Sequence, residues 1–325
     1  MPRVSVIIAS YNRAEVLGQA IESVLAQTYR DFELIVVDDA STDSTAESLQ
    51  PYRDRITYLR RDVNGGAAAG RNDGIHASSG EYIAFLDSDD SYLPNRLEVA
   101  VKALDVAPEY GGAYADMERL AADGSPLPVV AGFLPYQGSG WIFKEQLTRG
   151  AMHTNSVTLR RACFEEVGYF DESLRRFQDV HMWLRLTHRH PFLFLPDKVA
   201  VRRLRDVTSE FTVAAYEYPW RGLLKILQDI PDLTPAERHL VRREALLAAA
   251  THIALLRAAD QSDRAREVTA IAAAERAKLP LSDRLLVKCL IAARRRPLAQ
   301  VAGMARWARR RFSRPAQPAP MRTPG

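Results

Sequence analysis

Four short apolar runs alternate with predicted helices over the first ninety residues of this 325-residue chain. The runs begin at Val4, Phe32, Ile56 and Tyr82. Repeated strand–helix units form right-handed crossovers, because a twisted strand followed by a helix packs back onto its sheet in only one hand. The pattern predicts an α/β fold with a mainly parallel sheet and helices on both faces.

Acidic residues end the last of these runs. Tyr82–Leu86 is short and apolar, as expected of a buried parallel strand, and Asp87-Ser88-Asp89-Asp90 follows it directly. Carboxylates cannot enter a dry core without a large desolvation cost, so we expect them at the carboxyl end of the strand. Ligands of open α/β sheets bind at that edge, and clustered oxygens there suit a hard divalent cation that holds a phosphate.

Polar residues also follow the first and second strands. Tyr11 follows the first and offers a flat face to a nucleobase, whereas Asp38 and Asp39 follow the second. A carboxylate at the second position can accept a hydrogen bond from a nucleobase or a ribose hydroxyl. We assign Asp39 to ligand binding and Asp38 to a structural role, and we expect the three polar loops to converge on one crevice.

A segment of small residues, Asn64–Gly74, opens the third helix. Small side chains let a ligand approach the N-terminal amides of the helix, where the dipole favours anions, and Arg71 adds a planar donor for phosphate. The segment supports neither a dinucleotide site nor a P-loop, since no Gly-Lys-Ser/Thr follows.

Composition limits the class of protein. A hydrophobic content of 47% is enough for a sizeable core. The only cysteines, Cys163 and Cys289, imply no disulfide framework and favour a reducing compartment. No export signal precedes Val4, and the most apolar segment, Ala245–Leu256, is shorter than the ~20 residues that span a bilayer. We therefore expect a cytoplasmic protein.

The sequence divides into three parts. They are an α/β domain at 1–212, with a nucleotide-binding half at 1–90 and an acceptor half at 91–212; an α-helical region at 213–314; and a Pro-rich tail at 315–325, which we expect to be disordered. Predicted helices lie near 14–27, 42–49, 67–77, 94–104, 178–189, 216–227, 235–258, 263–277, 282–293 and 298–312, and later strands near 156–159, 192–195 and 199–201.

Every charged residue after Asp283 is basic although the formal charge of the whole chain is only +4, so the rest of the chain is acidic.

Four motifs together resemble the donor half of the inverting glycosyltransferases of family 2, which have the GT-A fold. The motifs are Val4–Arg13, Phe32–Asp43, Gly65–Ile75 and Tyr82–Asp90. The resemblance implies that Asp89 is the carboxylate nearest a bound Mg²⁺ or Mn²⁺ ion. It also implies that the donor nucleotide sugar is bound by Ala9, Tyr11, Asp39, Arg71, Asp87 and Ser88.

The second half resembles the acceptor side of the same family. His153–Arg161 and Val167–Glu172 resemble its acceptor segment, and Phe177–Leu186 resembles the motif that carries the general base. Gln178 replaces the usual Glu of that motif, which leaves Asp179 as the candidate base. Helical spacing places Asp179 on the face of the apolar residues Met182, Trp183 and Leu186, so it should point inward.

The resemblance implies a metal-dependent inverting transfer from a nucleotide-diphosphate sugar, with UDP or dTDP favoured, to an acceptor hydroxyl in surface glycan synthesis. Two alternatives stay open. A nucleotidyltransferase shares the crevice and the metal acids but needs a basic Gly-rich loop after the first strand, which Ser10-Tyr11-Asn12 does not provide. A catalytically silent glycan- or nucleotide-binding module is the other, and an Asp179 that faces away from the crevice would favour it.

Several roles are left open by the sequence. Asp87 reaches either the ribose or the waters of the metal, and Asp90 is either a helix cap or an indirect support of the metal. His153 contacts the pyrophosphate or the metal, or is an ordinary surface or core histidine. Arg202 and Arg203 bind phosphate or form a solvated basic loop.

The arginine-rich C-terminal helices have more than one possible partner. They could lie on an anionic membrane surface, which would suit a lipid-linked acceptor and a peripheral position on the cytoplasmic membrane, or form the solvated face of a helical bundle. Nucleic acid is disfavoured as a partner, because the rest of the chain is acidic. The sequence gives no oligomeric state.

Overall fold

The structure is a computed structural model that describes residues 1–121, 124–126, 136–150, 152–204, 213–280 and 284. The chain forms two compact units. The larger contains the described residues up to 204 together with Arg221–Val241, and the smaller contains the described residues 213–220 and those from Arg242 onward. Apart from Arg284, the predicted helices at 282–293 and 298–312 and the predicted disordered tail lie outside the described residues.

The larger unit is built on an eight-stranded sheet. Its strands are β1 (Val4–Ser10), β2 (Phe32–Asp38), β3 (Thr57–Arg60), β4 (Tyr82–Phe85), β5 (Ser91–Tyr92), β6 (Gly112–Ala121), β7 (Thr158–Arg160) and β8 (Phe192–Leu204). Their order across the sheet is β3-β2-β1-β4-β7-β6-β8-β5. Strands β1 to β4 pair in parallel, as do β6 and β8, whereas β7 runs antiparallel to both β4 and β6 and β5 runs antiparallel to β8. The α/β expectation is confirmed, with a sheet that is mixed in its second half.

Ten α-helices accompany the strands in the described part of the chain. They are α1 (Leu17–Leu25), α2 (Thr45–Ser48), α3 (Ala67–Ala77), α4 (Arg96–Asp105), α5 (Phe143–Arg149), α6 (Ala162–Val167), α7 (Gln178–Arg189), α8 (Glu217–Asp229), α9 (Pro235–Ala258) and α10 (Ser262–Ala277). Short 3₁₀ turns occur at Gln50–Tyr52, Thr154–Ser156 and Val213–Tyr216.

Both faces of the sheet are covered by apolar side chains. On one face, Val6 and Ile8 of β1 pack in a cluster with Leu17 and Ile21 of α1. On the other face, Ile7 packs in a second cluster that contains residues of α3 and α7. Successive residues of a strand point to opposite faces, so a strand that is apolar at every position must be buried on both sides, as the sequence predicts.

The helices at 67–77, 178–189 and 235–258 have the predicted bounds. The two strands predicted near 192–195 and 199–201 form one strand, β8. Its pairing with β6 shifts register after Ala115, where Leu195 faces Ala115 and Lys198 faces Asp116. The shift accommodates Pro196, which cannot donate a ladder hydrogen bond, and this local irregularity explains why the sequence reads as two strands. Among the described helices, none combines the length and the apolar character that a membrane span requires.

Candidate active site

Parallel pairing brings the ends of β1, β2 and β4 to one edge of the sheet. Ser10 lies opposite Asp38, and Ile7 lies opposite Phe85. The loops after β1 and β2 are tied together, since the backbone N–H of Asn12 donates to Ser41 Oγ over 2.9 Å. The predicted convergence of polar loops is therefore confirmed. Tyr11 is 43% exposed, so its ring is open to a ligand at this edge.

Asp38 is a structural residue. It has no exposed surface. Its carboxylate accepts hydrogen bonds from the backbone N–H of Ser41 over 2.9 Å, from the Tyr58 hydroxyl over 2.9 Å and from Arg60 Nη1 over 2.8 Å. These contacts fasten the end of β2 to β3 and leave the carboxylate no route to a ligand.

Asp39 holds the loop that opens α3. It is 3% exposed, and its two oxygens accept from the backbone N–H groups of Gly65 over 2.8 Å and Gly66 over 2.7 Å. Arg61 Nε lies 2.9 Å from Asp39 Oδ1. Gly66 has a φ of 86°, a left-handed conformation that glycine adopts at little cost. The structure thus shows Asp39 positioning the loop, and contact between Asp39 and a nucleotide stays a prediction.

Arg71 joins α3 to the acidic motif. Its Nη2 donates to Asp87 Oδ1 over 2.8 Å, and its guanidinium carbon lies 5.6 Å from the centre of the Phe170 ring. Within the described part of the chain, the other terminal nitrogen, Nη1, is buried and has no hydrogen-bond partner. A buried cationic N–H without an acceptor is costly, so this nitrogen is a candidate donor to a bound anion. Ala9, near the end of β1, packs against the same helix beside Gly70.

The carboxylates of the acidic motif differ in exposure. The side chain of Asp89 is 33% exposed, and its Oδ2 lies 3.8 Å from Arg13 Nη2. Ser88 is buried. Asp90 is 4% exposed and accepts from Asn155 Nδ2 over 2.6 Å and from the backbone N–H of Arg203 over 2.8 Å. Burial, together with the negative charge of Asp87, raises the pKa of Asp90 to about 7.

Two consecutive residues of the 3₁₀ turn Thr154–Ser156 connect this motif to Asp179. Asn155 Oδ1 accepts from the backbone N–H of Asp87 over 2.8 Å. Thr154 Oγ1 donates to Asp179 Oδ2 over 3.3 Å. The acidic motif and the candidate base are therefore neighbours, although 92 positions separate Asp87 from Asp179 in the sequence. Sequence reasoning included Thr154 and Asn155 in the acceptor segment His153–Arg161 but assigned no role to either, because their contacts depend on distant segments.

Asp179 lies in the first turn of α7 and is half-buried. Its Oδ1 accepts from the backbone N–H of Val180 over 2.8 Å. Met182, Trp183 and Leu186 have no exposed surface, so the inward-facing side of α7 is the one that the helical spacing predicts.

His153 precedes the same turn. Burial, assisted by the positive charge of Arg202, lowers the pKa of His153 to about 4, so its imidazole is neutral at pH 7. Its Nδ1 accepts from the backbone N–H of Asn155 over 3.4 Å, which leaves the proton on Nε2.

Residues 5–163 match the model of a protein family described as "Glycosyl transferase family 2". Among curated proteins, the uncharacterized glycosyltransferase RT0329 of Rickettsia typhi is 32% identical over 232 residues, which are 70% of this chain and 73% of that protein. The putative teichuronic acid biosynthesis glycosyltransferase TuaG of Bacillus subtilis is 40% identical over 191 residues, 57% of this chain and 72% of TuaG. Some relatives are longer: an uncharacterized glycosyltransferase of Rickettsia felis is 35% identical over 202 residues, but the match covers only 33% of it.

Solved structures show the same fold. Residues 1–349 of S. aureus TarS in complex with UDP-GlcNAc superpose with a TM-score of 0.60 at 20% identity, over 85% of this chain and 90% of that one. The mannosyltransferase PcManGT of Pyrobaculum calidifontis, in complex with GDP-Man and Mn²⁺, gives a TM-score of 0.58 at 19% identity, over 97% and 88% of the two chains. The α/β sheet, the family match and these relatives agree, and they decide against the nucleotidyltransferase and the silent module. The chain belongs to glycosyltransferase family 2 and is a glycosyltransferase with the GT-A fold.

Proposed function

We propose that this glycosyltransferase transfers a sugar from a nucleotide-diphosphate donor to an acceptor hydroxyl in polysaccharide biosynthesis, with inversion at the anomeric carbon. UDP or dTDP is the favoured nucleotide. The names of relatives support this class of reaction: TuaG refers to teichuronic acid biosynthesis. Escherichia coli WfgD, 42% identical over 102 residues, is named as a glucosyltransferase that uses UDP-Glc and a diphosphoundecaprenol-linked acceptor.

One observation carries the proposal. The adjacent residues Thr154 and Asn155 contact the Asp179 carboxylate and the Asp87 backbone respectively, so the acidic motif and the candidate base lie beside the same turn. A sugar transferase needs this arrangement, because the acceptor hydroxyl must approach the anomeric carbon while the leaving diphosphate stays bound.

The acidic motif fits a divalent cation. The Asp89 carboxylate is partly exposed and lies 3.8 Å from Arg13 Nη2, and its neighbours in the motif, Asp87, Ser88 and Asp90, carry oxygen donors. Oxygen ligands suit Mg²⁺ or Mn²⁺. We therefore assign Asp89 to the metal and Asp87, which is already paired with Arg71, to the ribose or to the waters of the metal. When bound, the cation would stabilise the negative charge of the leaving diphosphate.

The donor side follows from the surrounding loops. The exposed ring of Tyr11 would stack on the base, and Arg71 Nη1 would donate to a phosphate oxygen. Asp39 would act on the nucleotide directly or through the Gly65 and Gly66 amides that it holds. Ala9 and Ser88 would line the same crevice.

Asp179 would act as the general base. A sugar hydroxyl is too weak an acid to attack at neutral pH, so a placed carboxylate must accept its proton as the new C–O bond forms, which typically contributes ~10²–10⁴-fold. Thr154 Oγ1 donates to one oxygen of Asp179 and the Val180 N–H to the other, and these bonds orient the carboxylate.

The remaining expectations stay proposals. They are the domain boundaries at 212 and 314, a glycan or lipid-linked acceptor, and a position at the cytoplasmic face of the membrane held by the arginine-rich C-terminal helices. Most of those helices lie outside the described residues, so the structure carries no argument about them.

A screen of nucleotide sugars tests the proposal. Release of the nucleoside diphosphate should be measured for UDP-, dTDP- and GDP-sugars with Mn²⁺ and with EDTA. We expect Mn²⁺-dependent release from a UDP- or dTDP-sugar, and loss of that release in Asp89→Ala but not in Asp232→Ala, a surface control that is paired with Arg189. Release that EDTA does not reduce, or that persists in Asp89→Ala, would contradict the role of the metal.

A further inference from the structure

The helix that carries Asp179 begins in a strained conformation. Phe177, directly before α7, has a φ of 67°, in the left-handed region that bulky residues rarely occupy. Strain of this kind persists only where the surrounding structure holds the residue in place. Phe177 makes no side-chain hydrogen bond to this end of α7, and the first-turn N–H groups of Asp179 and Val180 are instead bound by the side chains of Gln178 and Asp179. These bonds do not hold the Phe177 ring, so packing from elsewhere must fix it.

Gly222 of α8 supplies part of that packing. A Cβ atom placed on Gly222 would lie 2.4 Å from Cδ1 and 2.9 Å from Cε1 of the Phe177 ring. Real carbon atoms do not approach so closely, so the ring occupies the space that the missing side chain leaves. The helix surface at Gly222 thus limits where the Phe177 ring can lie.

Charged residues on the same face of α8 hold the next part of α7. Asp229 Oδ2 lies 2.9 Å from His181 Nε2, two positions after the candidate base. Lys225 Nζ lies 3.6 Å from Asp229 Oδ2 and 3.0 Å from Asp171 Oδ2. Helical spacing of three and four places Gly222, Lys225 and Asp229 on one face of α8.

This cluster is an ionic link and not a cation site. The ligand atoms of Asp171, His181 and Asp229 lie within 4.8 Å of one another, a spacing that could hold a metal. However, the Lys225 ammonium is paired with both carboxylates and occupies the position beside them that a cation would take. His181 has no exposed surface, and burial lowers its pKa to about 4, so a neutral imidazole donates from Nε2 to Asp229.

We infer that Gly222, Lys225 and Asp229 of α8 are positioning residues for the general base: they fix the first turn of α7 and thereby the direction of the Asp179 carboxylate. The inference rests on the proposed role of Asp179. Asp179 is at the start of α7, where a shift of Phe177 or His181 is transmitted directly along the backbone. A misplacement of about 1 Å at a reacting group can cost ~10²-fold in rate.

The test uses Gly222→Ala and Asp229→Ala in the full-length chain. Asp232→Ala is the matched control, because Asp232 also follows α8 and pairs with α7, but at Arg189 at the far end of that helix, over 2.8 Å. Three quantities are measured: kcat for a UDP-sugar that the wild type hydrolyses, Kd for UDP with Mn²⁺ by calorimetry, and amide hydrogen exchange at residues 178–182. We expect both variants to lower kcat by on the order of tenfold or more, to leave Kd for UDP unchanged, and to accelerate exchange only in the first turn of α7.

Phe177→Leu gives a second variant with a smaller side chain opposite Gly222. If the effect passes through the ring, Gly222→Ala should cost less in the Phe177→Leu background than in the wild type, a non-additivity expected of residues in contact. Unchanged kcat, unchanged exchange, or a parallel loss of kcat and UDP affinity would overturn the inference. A wild type that neither binds UDP nor hydrolyses any nucleotide sugar would instead overturn the proposed function, and the exchange result would still decide whether α8 orders the turn.

Discussion

Replacement of Asn155 by alanine should weaken the fold and the active site together. Asn155 has no exposed surface and uses both ends of its amide: Oδ1 accepts from the Asp87 N–H, and Nδ2 donates to Asp90 Oδ2. These two bonds fix the orientation of the amide and tie the acidic motif to the turn that contacts Asp179. Asn155→Ala removes both and leaves the buried Asp90 with the Arg203 N–H as its remaining donor in the described part of the chain.

The magnitude follows from the two bonds. A hydrogen bond between neutral groups contributes about 1 kcal/mol and one to a charged group about 1.5–3 kcal/mol. The bond to Asp90 is buried, and the bond to the Asp87 N–H is half-buried. We therefore expect Asn155→Ala to lower the free energy of unfolding by about 2.5–4 kcal/mol. Because the Asp87 N–H loses its acceptor, we also expect a weaker affinity for UDP with Mn²⁺.

Urea unfolding and calorimetry measure the two effects. Gln146→Ala is the control, since Gln146 is also buried and its Oε1 accepts from the backbone N–H of Met152 over 2.9 Å, within a different loop. The control should lose stability without losing UDP affinity at temperatures where it is folded. A loss of under about 1 kcal/mol in Asn155→Ala, within the range of a surface substitution, would refute the reasoning.

Three further predictions concern stability and reactivity. Burial lowers the pKa of His181 to about 4 from its ordinary 6.5, so the unfolded chain binds the proton more tightly than the folded chain. The free energy of unfolding should therefore fall as the pH drops from about 6.5 towards 4. Urea unfolding should show a steeper loss in the wild type than in His181→Gln. Gly74→Ala would place a Cβ atom 2.4 Å from Ile7 Cγ2, where α3 packs on β1. Thermal unfolding should show a decrease of about 1–3 kcal/mol in the free energy of unfolding. An unchanged free energy would mean that α3 can shift to make room. The Cys163 thiol donates to the Gly111 carbonyl over 3.3 Å, and burial raises the pKa of the thiol to about 12. Iodoacetamide should therefore label the peptide that contains Cys163 only after unfolding. Labelling of Cys163 in the native protein would contradict the packing.

Local patterns were enough to predict the elements of the nucleotide-binding half. The strands there are apolar at nearly every position and the helices between them are short, so the β-α order and the edge at which the acids lie follow from the sequence. The short helices α5 and α6 were missed because seven and six residues do not show a helical period.

The contacts within the site could not be predicted, because they depend on pairing between distant segments. Strand β7 lies antiparallel to β4, with Ala84 opposite Thr158, and this pairing brings Asn155 to Asp87. The contacts of Asp39 could not be predicted for the same reason. Its position after β2 follows from the sequence, whereas its hydrogen bonds to the amides of Gly65 and Gly66 depend on how the loop packs.

The most direct test of the account is the rate of nucleoside diphosphate release by Asp179→Asn, measured at saturating donor and Mn²⁺ and compared with the wild type. Asparagine keeps the size of the side chain but cannot accept the proton of an attacking hydroxyl. The account predicts a rate lower by ~10²–10⁴-fold with an unchanged Kd for UDP. A rate equal to that of the wild type would show that Asp179 is not the base and would contradict the central claim.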